Sequence, residues 1–165
     1  MADSDSPENA RTKEAEAFEA RLLAAVPALS AHVRRALEGD RSSNTSAIVE
    51  VPCPNPRISA GMVIWMESGT DPSLAFGAWH SHASLFDGSV EAGWDGIIDF
   101  AAAILSDRFV LVQEVGGLKS SWVRVLDLRE EDALAELLTS KFCSDVIDIF
   151  TWSGSGDRRV GLADL

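Results

Sequence analysis

Hydrophobic positions recur at steps of three and four along the first part of the chain: Phe18, Leu22, Val26, Leu29, Val33 and Leu37. That is the period of one buried helix face, and it predicts a helix beginning near Thr12. Pro27 falls inside the pattern, where it removes a backbone donor and crowds the preceding turn. A kink near Ala24 or two short helices is therefore expected, with Gly39 as the stop. Residues 1–11 are small, polar and acidic, and they predict a disordered tail.

Beyond the loop Asp40-Arg41-Ser42-Ser43-Asn44 the period changes to that of strands. Ser46 to Val51 is rich in Ile and Val, and Pro52, Pro54 and Pro56 end it. Ile58 to Glu67 (ISAGMVIWME) is apolar almost throughout, the pattern of a central strand covered on both faces. Gly69-Thr70-Asp71-Pro72 then turns the chain. Ser73 to His82 alternates, which places Leu74, Phe76, Ala78, His80 and His82 on one face and Ala75, Gly77, Trp79 and Ser81 on the other.

Asp87 or Ser89 can cap the next helix, whose buried stripe is Val90, Trp94, Ile97, Ile98, Ala101 and Leu105. Gly93 and Gly96 each cost that helix about 1 kcal/mol relative to Ala, and they leave room for a close-packed neighbour. Phe109 to Val115 and Lys119 to Leu126 flank Gly116-Gly117 as a hairpin. Asp127 with Glu130 starts a helix carrying Leu134, Leu137, Leu138 and Phe142. Asp145 to Trp152 (DVIDIFTW) is the last strand, before a Gly/Ser-rich stretch, SGSGDRRVGLADL.

The predicted class is α+β, a mostly antiparallel sheet of about six strands with three helices in the order α-βββ-α-ββ-α-β. One domain spans 12–153, and 154–165 form a flexible C-terminal tail. The chain has 165 residues, 46% hydrophobic and 24% charged, enough for one apolar core.

Charge narrows the partners. With 26 Asp+Glu against 14 Lys+Arg, the formal net charge is -12. That field repels a phosphate backbone and an anionic bilayer, so neither nucleic acid nor membrane is expected, whereas a basic protein is admitted. The start of the chain has no basic and apolar export pattern, and no apolar run is long enough to span a bilayer, so a cytoplasmic location is expected. Cys53 and Cys143 form no CxxC pair, and reduced thiols follow.

The chemistry that stands out is GAWHSHASLF, residues 77–86, which carries two of the three histidines. Two imidazoles at i and i+2 on one strand face can reach a common ion, and a zinc site needs a third protein ligand and an open water position. Asp87 is the nearest candidate, with Glu67, Glu91 and Asp95 as others. A metal-bound water would be the nucleophile and Glu67 its general base. On the other account the imidazoles finish a polar strand end, bonding backbone carbonyls or Asp87, and no cofactor is present.

The HSH run at a strand end before a helix resembles the JAMM/MPN metalloprotease motif, which implies zinc held by His80 and His82. That pattern has proline after the second histidine, serine roughly eight residues past it and aspartate roughly eleven past it. Here Ala83, Val90 and Gly93 occupy those positions, so only the two histidines carry over. Pro52-Cys53-Pro54 lacks the second cysteine of a zinc deaminase. No GxSxG elbow or GxxxxGK loop occurs.

The five tryptophans all fall in predicted strands or the central helix of a chain without tyrosine. Most are core residues. Trp79, facing away from Leu74 and Phe76, is the one expected on a contact surface, together with His80, His82 and Phe86. The layout over residues 12–142 resembles the dimeric type III secretion chaperones, and small acidic α+β chains also resemble toxin-neutralising immunity proteins. Both resemblances imply a non-catalytic protein-binding module with a protein partner, and the first implies a homodimer through the Gly93/Gly96 face. The alternative is a metal-dependent hydrolase built on the His80/His82 pair.

Overall fold

The computed structural model describes residues 7–33, 46–66, 71–86, 88–114, 123–129, 132–139 and 146–161. The class is α+β, with eight strands in two four-stranded antiparallel sheets rather than one sheet of about six. The chain divides into two compact units, interleaved in sequence. The first is Met1–Pro52, Gly61–Phe76 and His80–Ala101; the second is Cys53–Ala60, Gly77–Trp79 and Ala102–Leu165.

In the first unit, α1 runs Pro7–Ala25, so the helix begins inside the stretch expected to be a disordered tail. It stops ahead of Pro27, which opens a separate 3-10 helix, Pro27–His32. Proline is tolerated there because the first turn of a helix has no acceptor for its missing N–H. Of the two outcomes expected at Pro27, the chain takes the second. Phe18, Leu22, Val26 and Leu29 are all buried. Val33 adds an isolated bridge to Val49, and Leu37 and Gly39 lie outside the described residues.

The first sheet has the order β1 (Ser46–Val51), β2 (Met62–Met66), β3 (Pro72–Phe76) and β4 (Trp79–His82). Pairing Ile64 with Leu74 and Met62 with Phe76 lines up one apolar face, and these four side chains are fully buried. Val63 and Trp65, between them on β2, are only half-buried. The second strand thus has one face fully buried and the other half-buried, and is shorter than 58–67: Ile58 to Ala60 belong to a loop of the second unit. Helix α2, Val90–Leu105, buries Ile97, Ile98, Ala101 and Ile104, and Trp94 meets Phe18 edge to face at 5.5 Å.

The second unit holds β5 (Phe109–Glu114), β6 (Val123–Asp127), α3 (Ala133–Thr139), β7 (Val146–Phe150) and β8 (Arg158–Gly161), with sheet order β6-β5-β7-β8. Val110, Val112, Leu137, Ile147, Ile149 and Val160 form its core. The β5–β6 pairing runs from Phe109↔Asp127 to Gln113↔Val123, and Gly116-Gly117 lies outside the described residues. Asp127 does not cap a helix. Its carboxylate accepts the Arg129 N–H at 3.0 Å, a side-chain turn two residues on, and α3 starts later.

Candidate functional site

A tight turn decides the setting of the two histidines. The segment expected as one strand from Ser73 to His82 is folded back at Gly77-Ala78, with Gly77 at φ +58°. A positive φ in the first central position of a two-residue hairpin is the natural place for glycine. A Cβ on Gly77 would also come within 2.8 Å of Leu111 Cδ1. Folding back exchanges the faces of the returning strand. Trp79 and Ser81 come to the Leu74 side, where Ser81 is buried, and His80 and His82 join Ser73 and Ala75 on the opposite side. Trp79 is thus half-buried on the core side of β4 rather than directed away from it.

His80 and His82 do share a face, with ring centroids 5.3 Å apart and planes at 82°. His80 is exposed and His82 half-buried, its Nδ1 2.7 Å from the hydroxyl of buried Ser73. The carboxylates considered as further ligands are not gathered around them. Asp87 and Glu67 lie outside the described residues. Asp95 pairs with Arg21 at 2.6 Å. Glu91 takes its own backbone N–H and the Ser89 hydroxyl, which with the nearby Arg21 hold its carboxyl below the usual range. Among the described residues, no group of three His, Cys, Asp or Glu side chains is placed to hold a metal ion.

Past His82 the chain enters a single 3-10 turn, Ala83–Leu85, anchored by Asp71. One carboxylate oxygen of Asp71 accepts the Ser84 N–H at 2.8 Å and the other accepts the Ser84 hydroxyl at 2.9 Å. Ser89 then caps α2 by accepting the Ala92 N–H at 3.3 Å. The glycines of α2 receive this connection. A Cβ on Gly93 would lie 2.8 Å from the Ala83 carbonyl oxygen, and one on Gly96 would lie 2.5 Å from the Phe86 ring. The close-packed neighbour those glycines admit is the chain's own Ala83 and Phe86, so that helix face is already occupied. Phe86 is half-buried, meets Phe100 at 5.2 Å, and acts as a packing residue as well as a surface one.

What this corner leaves open is a recess of about 220 Å³, lined chiefly by Asp71, Ala83, Ser84, Phe86, Val90 and Gly93. Val90 belongs to the lining, and Leu85 stands in sequence between the lining residues Ser84 and Phe86. Leu85 is 70% exposed and Val90 45%, and among the described residues only Leu128 joins them as a large exposed hydrophobe. Val90 reads as the first residue of the buried stripe by periodicity. At the first helical position it is nonetheless 45% exposed. Neither Leu85 nor the recess has a signal in the linear sequence, because both follow from the turn that Asp71 closes.

The second polar cluster lies within the second unit, in a stretch expected to be a flexible tail. Asp157 accepts the Thr151 N–H at 2.8 Å, and buried Asn55 donates to Asp157 at 3.1 Å and to the Thr151 carbonyl at 2.8 Å. Asn55 in turn accepts the Arg57 N–H at 3.0 Å. Asp107, itself at φ +57°, accepts the Ser153 N–H at 2.8 Å and the Ser153 hydroxyl. The loop is therefore tied on both sides and delivers β8. The Ser153 hydroxyl also lies 2.7 Å from the Ser155 hydroxyl, so the contact fixes the turn from Ser153 to Ser155. Burial pushes the Cys53 thiol up, and Asp157 and Asp107 add to the effect, so Cys53 stays a neutral thiol near the Trp152 carbonyl.

No helix among the described residues is long and apolar enough to cross a membrane. Compared with protein-family models, with curated proteins and with solved structures, the chain matches none of them.

Proposed function

We propose that this chain is a non-catalytic protein-binding module, chaperone-like or of the immunity-inhibitor type, which engages its partner through the β4–α2 corner of the first unit. The observation that carries this reading is exposed Val90 in the lining of the recess, with exposed Leu85 between two lining residues in sequence. Large apolar side chains left in water beside a concave surface are a feature of interaction sites. The face of the first sheet that carries His80 and His82 supports it, since half-buried Val63, Trp65 and Ala75 share that side.

The test is capture from the cells that make the protein, using the parent and a Leu85→Ser/Val90→Thr variant side by side. The reading expects a stoichiometric protein partner with the parent that is depleted with the variant. Equal recovery with both, or no partner with either, overturns it.

The second reading, a zinc-dependent hydrolase, is favoured by the shared face and 5.3 Å ring separation of His80 and His82. Elemental analysis of the parent beside a His80→Ala/His82→Ala variant separates the two. About one equivalent of metal in the parent and none in the variant would replace the binding reading with the hydrolase.

A further inference from the structure

We infer that the recess at the β4–α2 corner receives one aliphatic side chain from a basic segment of a partner protein, flanked by Lys or Arg. This rests on the protein-binding reading above and names the partner's chemistry. Three observations lead to it.

The size of the recess comes first. At about 220 Å³ it falls below the roughly 300–1,000 Å³ of small-molecule and cofactor sites, and it suits a single side chain. Its lining comes second. Ala83, Phe86, Val90 and the Cβ-free surface of Gly93 make apolar walls, and the polar groups at the mouth are already engaged: Ser84 with Asp71, and Ser89 with the Ala92 N–H. An entering group therefore gains by burying carbon, and has little left to bond inside.

Charge at the rim decides what surrounds that carbon. Asp71 lies in the lining and Glu91 adjoins Val90 in the first turn of α2, its carboxyl held below the usual range by its own backbone N–H and the Ser89 hydroxyl. Asp95, a turn further along α2 and outside the lining, is paired with Arg21 and adds no free charge there. An apolar anchor presented between acidic residues would meet like charge here, whereas one presented between Lys or Arg meets opposite charge. The net charge of -12 extends the same preference over longer range and speeds capture of a basic partner.

The probes are three short labelled peptides: Lys-Arg-Leu-Arg-Lys, its Gly-for-Leu counterpart, and Glu-Glu-Leu-Glu-Glu. Binding is followed by fluorescence anisotropy and by amide shifts of the ¹⁵N-labelled full chain. The inference expects the basic leucine peptide to bind best and to shift Ser84, Gly88, Val90 and Gly93. It expects binding to weaken by about tenfold on loss of the leucine, and to weaken again with added salt. Val90→Thr should reproduce the loss of the leucine, and Glu91→Gln the effect of salt.

Equal binding of the acidic and basic peptides overturns the inference, as does indifference to the leucine or a shift pattern centred on Trp65 and His80. So does absence of binding at about 1 mM, the weak end of specific association. In each of those cases the partner capture described above still decides the broader reading, so the two fail separately.

Discussion

Ser73 and His82 meet across the β3–β4 hairpin, the serine hydroxyl 2.7 Å from Nδ1 of the ring. The contact ties one nitrogen of the half-buried imidazole to a buried partner and sets the ring's orientation on the sheet face. It makes His82 a member of the hairpin first, whatever its other nitrogen does.

A double-mutant cycle measures that tie. Ser73→Ala and His82→Ala should each lower the unfolding free energy, and their coupling should come to about 0.5–1.5 kcal/mol, the net worth of one such hydrogen bond. Urea unfolding of the four proteins gives the number, and a coupling near zero would show the contact to be idle.

Gly96 should resist a substitution that helix propensity favours. Alanine in a helix interior gains about 1 kcal/mol over glycine, but a Cβ here would sit 2.5 Å from the Phe86 ring. Overpacking of that kind costs about 1–3 kcal/mol, so Gly96→Ala is expected to be destabilising on balance. Adding Phe86→Leu to Gly96→Ala should recover part of the loss in thermal unfolding, because the smaller side chain vacates the notch.

Asn55 should prove the most sensitive polar residue of the second unit. Asn55→Ala leaves the Thr151 carbonyl, in a buried setting, and the Asp157 carboxylate and Arg57 N–H, in part-buried ones, each short of a partner. A cost of about 1–3 kcal/mol per orphaned group sets the scale, reduced where water enters. Hydrogen exchange should show a faster amide at Arg57, whose acceptor the variant lacks, and unchanged protection there would contradict the assignment.

Acid should weaken the second unit through Asp148 and Asp127. Hydrogen bonding from Arg159 holds the Asp148 carboxyl below its ordinary value of 3.8, and Arg129 does the same for Asp127. Because the folded values are depressed, each contributes stability that is fully present above about pH 4 and lost as pH falls through the lower folded value. Asp148→Asn should thus be less stable than the parent at pH 6, with the difference closing below about pH 3.8. Added salt should shrink it too, since Arg159 is largely exposed.

Local chemistry decided much of this fold. The helix break at Pro27, the Ser89 cap, the burial of Ile97, Ile98 and Ala101, and the strands at 46–51, 109–114 and 146–150 follow from periodicity and backbone stereochemistry, which act over a few residues. The shared face of His80 and His82 was legible for the same reason: residues two apart on any strand point the same way.

Other features depended on groups far apart in sequence. Gly77 could continue a strand or turn it, and the turn reversed the face on which Trp79 and the histidines lie. The polar stretch Thr151 to Asp157 has the composition of a free tail, yet Asn55 and Asp107 bond it into place from about 100 and 46 residues away, so β8 can pair with β7. Gly93 and Gly96 show only that something approaches the helix closely. That the visitor is Ala83 and Phe86, and that a recess with exposed Val90 in its lining remains beside them, was decided by tertiary packing. Periodicity reports which way a side chain points, and only the folded chain reports what stands opposite it.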